Sequence, residues 1–384
     1  MARGELALLF PTFVMRNQAH ALDDQCEFVE MRASLERRAA HDGLSASRLR
    51  PEWTTPQSLR SPDLVRQAHH ATYIESVAAA TWAGRRLGPA RAAAGYSMGL
   101  FAALAHAGVY SVEDGLRLVD AVISAVYAAA AGPAYEIGAL RGLAPEVAQD
   151  VLARSGGRVE IIDDYAPDVV IVTGRQSEVR VVLKAATHRG AVVLQQIPAV
   201  VPFHHSALSE VEVGLRSILN RLDLRPPRLD VVSCLDQRRL CSIDQIRDEL
   251  ARNCWRPMHW FATVQRLSSL GIGRVFECGA SASLGNLVTR EMPGRFHVLT
   301  LRTPADLGTL VPPTDGWYLR VDRERCQGHD RCRAVAPQLF DVDALGQSSV
   351  LGTGWLSRSE HAQAELAVAN CPEHAITIDQ EGVS

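Results

Sequence analysis

The chain has 384 residues, more than the roughly 250–300 at which a single hydrophobic core stops growing, and 47% hydrophobic with 22% charged residues is a globular composition. A formal net charge of −3 provides no basic field for nucleic acid, and no apolar run reaches the ~18 residues of a membrane span, so neither partner is expected. The N-terminus runs straight into a short apolar burst instead of a signal peptide, which points to a reducing, cytoplasmic setting where eight cysteines are free or metal-binding.

In chain order, Leu6 to Phe10 reads as an inner strand, the Ala-rich charged stretch Ala21 to Arg50 alternates as a helix, and residues 64–87 form another. Ala92-Ala93-Ala94 is a short strand leading into Gly95-Tyr96-Ser97-Met98-Gly99, the small-x-Ser-x-small form of a tight strand-to-helix turn. Leu100 to Val109 is helical, so Ser97 lies beside a helix N-terminus with its N–H groups and positive dipole end. Ser111, followed by Glu113 and Asp114, caps a long helix running to about Ala131.

From about Tyr135 to Ala199 the order is strand, helix, strand, strand, helix, strand, which suits a small βαββαβ unit inserted into a larger fold. Beyond it follow a helix over Ser206 to Arg221, a strand at Asp230 to Ser233, a helix over Ile243 to Asn253 capped by Ser242, one from about Trp260 to Leu270, and a strand at Arg274 to Cys278. Leu310 to Gly316, with two prolines, reads as a linker. Cys26, Cys234, Cys241, Cys254 and Cys278 lack ligand spacing and read as ordinary thiols.

A serine hydroxyl needs a nearby base to become a nucleophile, and Pro202-Phe203-His204-His205-Ser206-Ala207-Leu208 supplies candidates. With these two motifs, Leu8-Leu9-Phe10-Pro11, Val169 to Gly174, Arg252 to Trp260 and Glu277 to Leu284, the chain resembles the malonyl-CoA:acyl carrier protein transacylase family over about residues 5–300. The resemblance implies an α/β acyltransferase fold over 1–310, with an α/β-hydrolase-like core and an inserted ferredoxin-like subdomain at about 135–200. It implies that Ser97 accepts an acyl group from an acyl-CoA or acyl carrier protein thioester and that His205 is its general base, with His204 the alternative because only Ser206-Ala207-Leu208 sets the register. His204 is otherwise placed in the acyl pocket. The backbone of Asn253 would orient the histidine, and the N–H groups of Met98 and Phe13 would hold the oxyanion.

Two departures stand out. Thr12-Phe13-Val14 replaces the family's Gly-Gln-Gly turn, so the loop of the second oxyanion donor is expected to be reshaped. Val122 stands where the family carries the arginine that clamps the malonyl carboxylate, and Arg117 lies five residues away on another side of the helix. An acyl pocket containing Val122 is therefore expected to take a non-dicarboxylic acyl group.

Cys326-Gln327-Gly328-His329-Asp330-Arg331-Cys332, with Cys371-Pro372 beyond, suits an iron–sulfur cluster. Residues 317–384 resemble small bacterial ferredoxins with one cluster, implying a small α+β domain after a linker at 311–316. His329 occupies the midpoint usually held by a cysteine, so three thiolates suit a 3Fe-4S cluster; a 4Fe-4S cluster with His329 on the fourth iron is the alternative, and a Cys3His zinc site a further one. Ten acidic against six basic residues in 316–384 suit weak electrostatic docking to a redox partner such as a reductase or monooxygenase. The expected function is acyl transfer in polyketide or fatty-acyl biosynthesis, fused to electron transfer. The alternatives are an editing acyl-thioester hydrolase, and a catalytically altered scaffold that delivers a ferredoxin to a monooxygenase.

Overall fold

The computed structural model describes residues 4–12, 22–23, 25–44, 61–130, 134–143, 145–153, 156, 158–280, 283–299, 317–323, 325–342, 346–351, 355–356 and 358–380. The chain divides into two compact units, Met1–Arg302 and Thr303–Ser384. Phe13 and Val14, and the linker expected at 311–316, lie outside the described residues.

The first unit begins with β1 (Glu5–Phe10), whose run Leu6-Ala7-Leu8-Leu9-Phe10 is fully buried, as a parallel strand covered on both faces requires. Helix α1 (Cys26–His41) ends before Gly43 at φ +75°, well short of Arg50. Helix α2 (Pro62–Arg86) starts with Ser61 Oγ accepting from Leu64 N at 3.3 Å and Pro62 in the first turn, and packs against α1 and two later helices. Its middle is buried on every side, so it carries no regular amphipathic stripe.

Strand β2 (Ala92–Gly95) is followed by α3 (Gly99–His106) and α4 (Val112–Ala129), the latter capped by Ser111 Oγ accepting from Asp114 N at 3.0 Å. Next come β3 (Tyr135–Arg141), α5 (Pro145–Ala153), β4 (Val159–Ala166), β5 (Val169–Arg175), α6 (Gln176–Thr187) and β6 (Val192–Ala199). These strands form an antiparallel sheet in the order β4-β5-β3-β6, with α5 and α6 closing its own apolar core around Val170, Val172 and Leu183.

Where one helix was expected over 206–221, there is a single 3-10 turn at Ser206–Leu208 and then α7 (Val211–Leu219). Glu160 on β4 accepts from both Ser206 N (2.9 Å) and Ser206 Oγ, which holds the turn away from helical continuation. The remaining elements are β7 (Asp230–Val232), α8 (Ile243–Arg252) with a capping box between Ser242 and Gln245, α9 (Trp260–Ser269), β8 (Ile272–Glu277), α10 (Ser283–Glu291) and β9 (His297–Leu299). The main sheet is parallel in the order β7-β2-β1-β8-β9.

The second unit contains β10 (Trp317–Val321), α11 (Arg331–Val335), β11 (Phe340–Val342), β12 (Ser348–Val350), β13 (Trp355–Leu356), α12 (Arg358–Asn370) and β14 (Ile376–Gln380). Strands β13-β10-β14 form one antiparallel sheet and β11-β12 a hairpin, closed over Leu319, Phe340, Ala364 and Ile376.

Packing is tight where α3 crosses the end of β1: a Cβ on Gly99 would overlap the Phe10 carbonyl oxygen, and one on Gly95 would overlap the Leu100 backbone. Gly84 in α2 has open space around its Cβ position. Gly99→Ala should therefore cost about 2 kcal/mol or more, whereas Gly84→Ala should be neutral or stabilising by roughly 0.5–1 kcal/mol. Urea unfolding followed by tryptophan fluorescence checks both, and a silent Gly99→Ala would contradict the packing described.

Candidate active site and cluster site

Ser97 sits between β2 and α3 at φ 54°, a left-handed conformation that a serine adopts only when its surroundings enforce it. Those surroundings are hydrogen bonds. Tyr96 N donates to Phe10 O at 2.8 Å, Gly99 N to Tyr96 O at 2.9 Å, and Asn253 Nδ2 to Ser97 O at 3.2 Å. Tyr96 Oη donates to Asp163 Oδ2 at 2.8 Å, tying the turn to β4, while Asp163 Oδ1 accepts from Trp260 N at 3.0 Å. Burial pushes the Asp163 carboxyl up to about 7 against the opposing pull of those two donors. Met98 lies at the start of α3, with its backbone N–H in the first turn beside Ser97.

Ser97 Oγ lies 2.8 Å from His204 Nε2, and His204 Nδ1 lies 3.0 Å from the Arg256 carbonyl oxygen. A carbonyl only accepts, so Nδ1 carries the proton and Nε2 offers its lone pair to the serine hydroxyl. Burial holds the His204 imidazole down at about 4, with the Arg256 carbonyl opposing, which leaves the ring neutral near pH 7.

The expectation that His205 meets Ser97 and His204 lines the acyl pocket is corrected by this geometry. His204 has φ 63° and its N–H is held by Cys254 O at 2.8 Å, so the chain turns sharply and the two adjacent side chains diverge. His205 instead accepts from Ala207 N through Nδ1 at 3.0 Å, and its Nε2 lies 3.6 Å from Glu160 Oε1. Asn253 is likewise reassigned: its side chain supports the serine turn, and the carbonyl that orients the histidine belongs to Arg256. Nothing in local composition separates two neighbouring histidines; only the turn does.

Next to the serine turn is a small pocket lined by Pro11 and Thr12 after β1, His69, Thr72 and Tyr73 from α2, Met98, Gly99 and Ala102, and Val119 from α4. Among the described lining residues there is no Lys or Arg. Val122 is buried one turn beyond Val119. Neighbouring arginines are occupied elsewhere: Arg66 pairs with Asp63 at 2.7 Å and Asp120 at 3.1 Å, and Arg117 with Asp42 and Asp114 at 2.5 and 2.9 Å. His69 is neutral, since burial pushes its imidazole down to about 3.

In the second unit Cys326, Cys332 and Cys371 line one pocket together with His329, Ser348 and Glu373. Ser348 N donates to Cys326 Sγ and Ala375 N to Cys371 Sγ, both at 3.4 Å, and Cys332 Sγ lies 3.2 Å from Ser348 Oγ. The loop is shaped by Gly328 at φ +73°, where a Cβ would come within 2.9 Å of Gly346 O. Three thiols around one pocket, with N–H groups aimed at sulfur, fit a thiolate-held iron–sulfur cluster. Among the described residues, no three His, Cys, Asp or Glu side chains converge as ligands of a single metal ion would. His329 is held by Glu373, Nε2 to Oε1 3.1 Å.

A parallel five-stranded sheet with a Ser–His pair at the β2–α3 turn, and an antiparallel subdomain inserted after α4, define an acyltransferase fold. Comparison with known proteins agrees. The chain is 28% identical over 201 residues to the polyketide biosynthesis protein ThaF of Burkholderia thailandensis, covering 52% of this chain and 17% of ThaF. It is 26% identical over 199 residues to the malonyl CoA-acyl carrier protein transacylase of Escherichia coli, covering 51% of this chain and 64% of that protein. Among solved structures it is similar to the acyl-carrier-protein S-malonyltransferase of Burkholderia pseudomallei (TM-score 0.67, 24% identity, 79% of this chain and 98% of that one). It is also similar to a malonyl-transacylase solved with its type II polyketide synthase acyl-carrier protein, PlMCAT:AntF (TM-score 0.69, 21% identity, 80% and 99%). Residues 321–378 match the family described as the 4Fe-4S single cluster domain of ferredoxin I. The N-terminal part of the chain thus has the fold of the malonyl-CoA:acyl carrier protein transacylases and is similar to them in sequence, and residues 321–378 match a single-cluster ferredoxin domain.

Because His204 is neutral down to about pH 4, labelling of Ser97 by a fluorophosphonate should stay level from about pH 8 to about pH 5 and fall only as pH approaches 4, where protonation removes the Nε2 lone pair. His204→Ala should slow labelling about 10²-fold or more, and His205→Ala by less than about tenfold. The reverse order for the two histidines would overturn the placement.

Proposed function

We propose that the first unit transfers an acyl group between thioesters through an acyl-Ser97 intermediate, and the observation that carries this is the Ser97 Oγ–His204 Nε2 contact of 2.8 Å with the opposite ring nitrogen fixed on the Arg256 carbonyl. Ser97 Oγ attacks the thioester carbonyl carbon while His204 Nε2 takes its proton. The C–S bond breaks, and the imidazolium returns the proton to the departing thiolate. Arg256 O stabilises the imidazolium, and the Met98 N–H faces the developing oxyanion; the Phe13 N–H is the proposed second donor. A second thiol, that of an acyl carrier protein, then reverses the sequence. Polyketide or fatty-acyl biosynthesis as the setting is supported by ThaF and by the carrier-protein complex of the structural relative.

The acyl group proposed is uncharged. A carboxylate entering the pocket beside Met98 and Gly99 would meet Val119, Ala102 and a neutral His69, with no described cation to pair it, and an unpaired buried charge is costly. For the second unit, we assign a 3Fe-4S cluster to Cys326, Cys332 and Cys371, the three thiols that line one pocket. The cluster supplies one-electron transfer, and the three cysteines and the N–H groups of Ser348 and Ala375 would hold it and tune its sulfur charge. A reductase or monooxygenase is the proposed redox partner.

Intact mass after incubation with acetyl-CoA should show an acetyl adduct that Ser97→Ala abolishes, formed at least about tenfold faster than the malonyl adduct. An adduct persisting in Ser97→Ala, or a malonyl preference, would contradict the assignment. Protein purified anaerobically should hold about three irons per chain, and Cys371→Ser should lose them while leaving the Ser97 adduct intact. Four irons, or zinc, would contradict the cluster proposed.

A further inference from the structure

Five threonines lie within the described helices: Thr72 and Thr81 in α2, Thr187 in α6, Thr263 in α9 and Thr289 in α10. A helical threonine ordinarily satisfies its hydroxyl on the carbonyl four residues back. Thr81 does so on Val77 O at 2.8 Å, Thr187 on Leu183 O at 2.9 Å, Thr263 on His259 O at 2.9 Å and Thr289 on Gly285 O at 3.0 Å. Thr72 does not. Its residue is 8% exposed, its Oγ1 is buried, and that oxygen has no hydrogen-bond partner among the described residues. Thr72 is also the one member of this set that lines the pocket against Met98 and Gly99.

A buried hydroxyl left unsatisfied is unfavourable, and the lost hydrogen bond is regained when a ligand supplies the partner. Around Thr72 the other pocket walls offer little competition. Tyr73 Oη already donates to Val112 O at 3.2 Å, and Pro11, Ala102 and Val119 are apolar. His69, three residues before Thr72 on the same helix, presents a second polar group to the pocket and carries no charge. Thr12, after β1, brings one further hydroxyl, so the polar content of the pocket is neutral throughout, which matches an uncharged oxygen on an otherwise apolar chain.

We infer that Thr72 is a specificity-determining residue that selects a short acyl group bearing a neutral hydroxyl or keto oxygen, hydrogen-bonded to Thr72 Oγ1. The inference rests on the acyl-Ser97 reading above and narrows its substrate class to the 3-hydroxyacyl and 3-oxoacyl thioesters. Such thioesters are the products of a carbon–carbon condensation and of the reduction of the resulting ketone, so a reaction of one of those two classes must supply this substrate. A hydroxyl can donate to Thr72 Oγ1 or accept from it, and a ketone only accepts. A site built to hydrogen-bond an oxygen discriminates strongly against the analogue that lacks it, because its own polar group is then left unpaired.

The full chain, loaded separately with 3-hydroxybutyryl-CoA, acetoacetyl-CoA, butyryl-CoA and acetyl-CoA, tests this by the second-order rate of adduct formation on Ser97. At least one of the two oxygenated thioesters should load about tenfold or more faster than butyryl-CoA. The faster of the two identifies the oxygen as hydroxyl or ketone. Thr72→Val, which keeps the shape, should bring the oxygenated and butyryl rates to within about twofold with butyryl loading retained, and Thr72→Ser should restore the preference. Retained butyryl loading also shows that the Thr72→Val pocket is folded. Equal wild-type rates, or a Thr72→Val variant that keeps the preference or slows every thioester alike, would overturn this inference and leave the acyl-serine reading standing. If no thioester forms an adduct, both fall together.

Discussion

The contact on which the first unit depends is the approach of Gly99 to the Phe10 carbonyl, with Gly95 pressed equally close to the Leu100 backbone. No side chain fits at either point. The consequence is that α3 starts directly over the end of β1, and the residue between the two glycines is forced to φ 54° with its side chain at the rim of the parallel sheet. The small residues Ala92, Ala93 and Ala94 let β2 pair beside β1 under the same helix. Backbone strain at Ser97 is thus set by packing in the sheet and helix around it.

The same economy recurs wherever chemistry is placed. Five non-glycine residues have positive φ among the described residues, and four of them are Ser97, His204, Asp330 and His374. The first two are the hydrogen-bonded pair, and the other two lie beside the cysteines that line the second unit's pocket. In both units a short reversal of the chain points a functional atom inward while the neighbouring backbone N–H groups are left free to face charge, as Ser348 and Ala375 face sulfur. Burial then fixes protonation. His204 is kept neutral by desolvation, and its proton is pinned to Nδ1 by a carbonyl, so the pair is poised without any carboxylate partner.

Much of this was legible in the sequence because it rests on residue type at short spacing. The glycines at 95 and 99 required a tight turn, the alternation of apolar runs from Tyr135 to Ala199 followed the βαββαβ order of the inserted sheet, and the three cysteines shared one pocket. What escaped depends on long-range geometry. His204 and His205 have the same local chemistry, and the choice between them is made by a hydrogen bond from His204 N to Cys254 O, fifty residues downstream. Arg256 rather than Asn253 orients the ring for the same reason: the segment after α8 runs along the histidine turn with a phase that periodicity cannot give. The helix expected over 206–221 was broken by Glu160, a residue on another sheet. Val122, expected in the acyl pocket, is buried one turn beyond it; the described lining takes Val119 from α4 and His69, Thr72 and Tyr73 from α2, a pairing of helices that periodicity does not give.

A pocket without a buried cation has no field to hold a carboxylate, and apolar side chains alone would make it indifferent to polarity. Here the middle of α2 is buried on every side, so a hydroxyl on its pocket face meets no bulk water and gains a partner only from what enters the pocket. Thr81 is satisfied within the helix and Thr72 is not. His70, beside His69, is drawn to Asp120 on α4 at 2.9 Å, and Arg66 meets the same carboxylate, so the charges of this region neutralise one another behind the pocket wall. The pocket combines neutral polar groups at Thr72, His69 and Thr12 with apolar walls and has no Lys or Arg among its described lining, the arrangement that would distinguish one neutral oxygenated chain from both a carboxylate and a plain hydrocarbon.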